Sequence, residues 1–128
     1  MADNQRSVAG RVVAALAIGR IAAGVLAWLS PSLTARVFGM EADGGQSHYA
    51  WRLFGIRDVV IGVGTLLSSG AQQRAFVTAG LACDMGDGAA GAVAISRGDF
   101  TRSTAGAPVT VPVLAVALGA WALRGIAR

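Results

Sequence analysis

Five ionisable residues, Arg20, Arg57, Asp58, Asp84 and Asp87, fall near the middle of three otherwise apolar segments. A charge at the centre of a bilayer costs about 2.5–3.5 kcal/mol on insertion scales, so such side chains pair with one another or line a cavity and mark a functional site by default. Two arginines against three aspartates leave a formal surplus of one negative charge. In a low-dielectric interior that surplus needs a cation, a substrate group or a proton to compensate it. An Asp pair at i, i+3 can then divide into one ionised acid held by arginine and one protonated acid, which is what general acid–base work requires. Asp84 and Asp87 are therefore the candidate proton donor and acceptor. Arg20, Arg57 and Asp58 are the candidate ligand-binding groups.

Helices must position these residues. Apolar runs over 12–29, 49–67, 75–95 and 107–123 are each long enough, at 1.5 Å per residue, to be read as spans. The five charges then lie at depths that agree within a few ångströms. On the third run Gly80, Asp84, Asp87 and Gly91 are spaced 4, 3 and 4 residues and share one stripe. Gly55, Asp58, Gly62 and Thr65 make a similar small and polar stripe on the second. Arg57, turned about 100° from Asp58, either points in from the seam or reaches round to an acid on the third helix. Glycines beside the acids admit a neighbouring backbone, so both stripes are expected to face the bundle interior.

The connections are short, which makes successive spans antiparallel neighbours in an up-down-up-down bundle. Ser30-Pro31-Ser32 supplies an N-cap and first-turn signal for a short interfacial helix to Val37, closing at Gly39 and followed by a polar loop over 41–48. The first ten residues are polar and read as frayed. Pro112 is expected to bend the last span. Trp28 and Trp51 would mark one membrane face and Trp121 the other.

Composition agrees with this reading. Only 14% of the 128 residues are charged, against about 25% in an ordinary soluble domain, and mean hydropathy is +0.57. The chain is long enough for four spans in one domain, 1–128, and for no second domain. All eleven positive charges are arginine. Most lie near the ends of the spans, a distribution suited to lipid headgroups and not to the concentrated face that nucleic acid requires. Five arginines on the side of the two termini (Arg6, Arg11, Arg74, Arg124, Arg128) against four on the other (Arg36, Arg52, Arg97, Arg102) lean toward cytoplasmic termini in a multi-pass protein of the cytoplasmic membrane. The single cysteine, Cys83, has no intramolecular disulfide partner, and no His or Cys spacing suits a metal. No cofactor or metal is expected.

Two motif matches mislead. Gly86-Asp87-Gly88-Ala89-Ala90-Gly91 fits GxGxxG, but that fingerprint needs a strand before it and a helix opening at the glycines, whereas here it lies inside an apolar helical run. Asp87-Gly88-Ala89-Ala90 matches the opening of the membrane phosphatidyltransferase signature without its arginine or its later aspartates. His48, ten residues from Asp58 and roughly 15 Å along a helix, is no partner for it.

Arg20 with Gly24, the run Arg52 to Gly62 containing Arg-x-x-Gly-x-Arg-Asp, and Asp84-Met85-Gly86-Asp87 together resemble a group of small four-span membrane proteins common in actinobacteria. More loosely the chain resembles DoxX-like membrane proteins. The resemblance covers the first three-quarters of the chain and implies the architecture and these positions, with no activity attached. Three uses of the cluster stay open at this point: a polar pocket for a small, largely apolar ligand with an Asp doing acid–base chemistry, helix glue in a non-catalytic subunit, and proton-coupled transport or conduction. Ala115 and Gly119, at small-xxx-small spacing, permit a homodimer and are explained equally well by packing within one chain.

Overall fold

The computed structural model describes residues 2–41, 44–100 and 106–126, which form five helices and no strand: α1 Ala2–Leu29, α2 Pro31–Val37, α3 Gly45–Leu67, α4 Gly70–Arg97 and α5 Ala107–Ile126. Each expected apolar run lies within one of the four long helices, so the all-α reading holds. GxGxxG lies wholly inside α4, and no strand precedes it.

Close contacts fix the chain directions. Gly24 of α1 meets Gly55 of α3, and Ala17 meets Gly62, so numbers rise on one helix as they fall on the other. Arg57 reaches Asp87 and Gln73 reaches Thr65, which sets α4 antiparallel to α3. Gly91 meets Pro108, Leu81 meets Gly119, and Ala9 meets Gly125, which sets α5 antiparallel to both α4 and α1. The four long helices form an up-down-up-down ring, with α1 and α4 each packed on α3 and α5 and facing one another across the centre.

Small residues set the spacing. A Cβ placed on Gly24 would lie 2.5 Å from the carbonyl oxygen of Gly55, and one on Gly55 would lie 2.5 Å from the carbonyl oxygen of Gly24. Only paired glycines allow that backbone approach. Glycine and the two prolines Pro31 and Pro108 apart, the buried apolar residues among those described are alanines except for Val13 and Ile61, and the buried polar ones are Thr34, Asp58, Thr65 and Asp84. Large apolar side chains point outward instead, among them Leu29, Leu67, Ile18 and Met85.

Several expectations need correction. Residues 2–10 are helical and not frayed: α1 begins at Ala2, and Ala9 is buried against Gly125. The loop before α3 is shorter than expected, because helix starts at Gly45 and takes in His48. Likewise α4 starts at Gly70, leaving only Ser68 and Ser69 as the α3–α4 connection, and extends to Arg97, where Gly98 closes it at φ 78°. Ser30 makes no side-chain cap; its carbonyl instead takes the Thr34 amide and hydroxyl. The expected stop of α2 is as read: Gly39 adopts φ 72°, its amide reaches the Arg36 carbonyl, and Met40 reaches Ala35. Helix α5 runs through Pro112, which removes the amide that would otherwise meet the Pro108 carbonyl. Arg102 and Arg128, counted in the charge balance, lie outside the described residues.

Two helices, α1 from Asn4 to Leu29 and α5, are long and apolar enough to cross a membrane. At 1.5 Å per residue, the 23 residues of α3 and the 28 of α4 have the length but not the composition, because they carry Arg57, Asp58, Asp84 and Asp87.

Candidate functional site

All five charges meet. Arg20 projects from α1 one turn before Gly24, where the α1 and α3 backbones touch, and its Nη1 donates to Asp58 Oδ1 at 3.1 Å. Its Nη2 crosses the ring to α4, donating to the Gly80 carbonyl at 3.0 Å and pairing with Asp84 Oδ2. Gly80 matters doubly, since a Cβ there would sit about 3.0 Å from the Arg20 guanidinium. One guanidinium therefore ties three helices together. Arg57 makes a two-pronged pair with Asp87, Nη1 to Oδ1 at 3.2 Å and Nη2 to Oδ2 at 2.8 Å. Its Nε approaches Asp58 Oδ1 at 3.6 Å, too long for a hydrogen bond, and that buried N–H has no acceptor.

The result is an alternating run, Asp84, Arg20, Asp58, Arg57, Asp87, that leaves α4 and returns to it. Of the two orientations expected for Arg57, the structure takes the one that reaches round to α4. Each of the three aspartates in this run has an arginine partner, but unequally: Asp87 has both oxygens held by Arg57, whereas Asp58 and Asp84 share Arg20. Each of those two meets Arg20 through one oxygen only, and the second oxygen of each accepts no hydrogen bond among the described residues.

A cavity of about 630 Å³ occupies the space between the facing helices. Such a volume falls in the range of small-molecule pockets. Its walls are mostly aliphatic and aromatic, running from Val13 and Phe76 at one end to Phe38 and Met40 at the other. Asp58, Asp84, Asp87 and Arg20 all line it; Arg57 does not. Pro108 and Pro112 of α5 supply part of the wall opposite α3, with Gly91 and Gly88 of α4 against them.

The expectations for the aromatic residues did not include the cluster Phe38, Trp51 and Phe54 near the α2 end of the cavity. Ring centroids lie 5.5 Å apart for Phe38–Trp51 and for Trp51–Phe54, and 6.4 Å apart for Phe38–Phe54. The Arg57 guanidinium lies 4.9 Å from the Phe54 ring centroid. Trp51 lines the cavity at the same end of the bundle as Trp28, while Trp28 and Trp121 are half exposed at opposite ends. In sequence, Trp51 and Phe54 stand at i, i+3 one turn before Arg57, but Phe38 reaches them only because α2 folds back. His48 sits away from the charges and meets Ser32 Oγ through Nε2 at 3.0 Å, joining α3 to α2. Cys83 is a partly buried free thiol. No group of three or more metal-ligating side chains occurs among the described residues.

The fold and site define a class: an all-helical bundle whose centre holds an interhelical Arg/Asp network beside an apolar cavity. Compared with family models, curated proteins and solved structures, the chain finds no match.

Proposed function

We propose that this is a four-span, multi-pass protein of the cytoplasmic membrane whose central cavity binds a small lipophilic molecule, with the Arg/Asp network forming the polar side of the pocket. The membrane part rests on an inside-out distribution of residues. Leu67 is 83% exposed, Leu29 75% and Met85 64%, while alanine, glycine and charge fill the interior. Water-soluble monomers rarely leave so much large apolar surface uncovered, whereas lipid would cover it at no cost. In this setting α3 and α4 also span, their charges satisfied across the bundle and not by water. The two half-exposed tryptophans suit the headgroup zone, and the outward Leu33 and Val37 of α2 suit an interfacial helix. The resemblance to small four-span membrane proteins points to the same architecture.

The observation that carries the pocket is the cavity itself, apolar along its length and touched by three carboxylates at one level. A proton-transfer role falls to Asp84 ahead of Asp87, because Asp84 shares its arginine and keeps a free oxygen while Asp87 is held at both. To test the pocket, the protein is purified in lipid nanodiscs and its organic extract examined by mass spectrometry. A species that accompanies wild type and disappears in Ala115→Phe, which fills the cavity from α5, is the expected result; extracts that do not differ count against the pocket.

A second reading has its own support, the partnering of all five charges. On that reading the network is helix glue in a non-catalytic subunit, each contact contributing about 0.6–2 kcal/mol. An empty extract together with strongly destabilised charge variants would favour it.

A further inference from the structure

We propose that the ligand of this cavity is a lipophilic monocation bearing N–H donors, a protonated amine on an apolar body; the proposal rests on the pocket reading above. Three features of the cavity lining carry it. The first is charge: three carboxylates and one guanidinium face the space, and counting Arg57 behind them still leaves one negative charge without a positive counterpart. The second is donor and acceptor capacity. Three of the five Arg20 N–H donors are already engaged and its charge is shared by two carboxylates, whereas Asp58 and Asp84 each retain an oxygen with no donor. An ammonium supplies N–H donors to those two oxygens and balances the surplus charge in one step. The third is the aromatic cluster. Trp51, Phe54 and Phe38 line the route between the α2 end and the carboxylates, and Phe54 already carries one cation, Arg57, against its ring. Aromatic faces attract cations and give anions no comparable site. The mostly apolar walls exclude a small hydrated ion, whose water shell nothing there would replace, and favour an amine with a bulky hydrocarbon body.

The test uses three probes with one hydrocarbon body: 1-adamantylamine, 1-adamantanol and 1-adamantanecarboxylate, titrated at neutral pH into the full chain in nanodiscs, with binding to protein-free discs subtracted. The amine is expected to bind about tenfold tighter than either of the others, as one unbalanced charge at close range in a partly polar interior implies. Asp84→Asn and Asp58→Asn should each erase that preference, while Met85→Leu on the outer surface should keep it. Equal binding of the three probes would overturn the cation proposal and leave the pocket standing. Binding of none would remove the pocket and the proposal with it. Should neither Asn variant fold, the three probes on wild type decide the question alone.

Discussion

Two arginines of one network occupy unlike settings. Arg20, with 15% of its side chain exposed, donates to acceptors on two other helices at a point where glycines bring α1 and α3 into backbone contact. Arg57, with 33% exposed, has one principal partner, Asp87, which is 34% exposed and fronts the cavity. The same pairing chemistry is fixed by the backbone in the first case and held by two flexible side chains in the second. Rigidity therefore varies along the network: the Arg20 end sets the bundle and the Arg57–Asp87 end is held more loosely, while carboxylates from both ends line the cavity.

The sharpest way to break that contrast is Arg20→Met, which strands Asp58, Asp84 and the Gly80 carbonyl together. Leaving a buried pair without one member costs about 3–5 kcal/mol, so unfolding in denaturant followed by circular dichroism should show most of the stability gone. A loss of about 1 kcal/mol or less, the level of an ordinary intramembrane polar contact, would put Arg20 in the same category as Arg57. Next in size is Gly55→Val. With a Cβ alone already 2.5 Å from the Gly24 carbonyl oxygen, the seam must open, at about 1–3 kcal/mol for overpacking. The same opening would draw Arg20 away from Asp58, so Arg20→Met on this background should cost less than it does alone, a non-additivity that a double-mutant cycle measures.

How much of this was legible depended on whether helix geometry or tertiary spacing set the answer. The common depth of the five charges follows from a fixed rise per residue, so sequence spacing sufficed to bring Arg20, Arg57, Asp58, Asp84 and Asp87 to one level. The stripes holding Gly80 and Gly55 were readable for the same reason. Who pairs with whom was not, because it depends on how far a guanidinium reaches across a gap whose width glycine and alanine contacts determine. A pocket was among the expectations, but not its extent: it exists where the α1 and α4 backbones stand apart and the Arg20 side chain bridges them, a distance no local pattern encodes. Polar character misled at the N-terminus, since residues 2–10 read as frayed until Ala9 meets Gly125 on a helix more than a hundred residues later. The cavity contact of Trp51 was not legible either, because an indole near a span end is as suited to a cavity lining as to a headgroup.

A smaller effect sharpens the other half of the contrast. Arg57→Gln and Asp87→Asn, separately and together, should give a coupling of about 0.6–1.7 kcal/mol, the range for intramembrane pairs, well under the Arg20→Met loss. Binding should respond more than stability does, because Asp87 lines the cavity and loses its charge in the variant. If instead Asp87→Asn destabilised the bundle as much as Arg20→Met, the division between a fixed and an adaptable end would not hold.

The smallest expected effect concerns the α2 end of the cavity, where Ser32 and His48 join two helices through one hydrogen bond. Ser32→Ala removes that contact, worth about 0.5–1 kcal/mol at most for a single neutral hydrogen bond near water. What holds α2 is then decided by Trp51, made the only tryptophan through Trp28→Phe and Trp121→Phe. Pro31, Thr34 and Ala35 are buried, and Phe38 packs on Trp51 and Phe54, so the helix has anchors that the hydroxyl does not supply. Trp51 emission should therefore stay where it is in Ser32→Ala and shift to the red in Phe38→Ala, which opens the aromatic cluster to water. A red shift in Ser32→Ala of equal size would make the Ser32–His48 contact the fastening of the cavity's aromatic end, and α2 an element tied at one point instead of packed along its face.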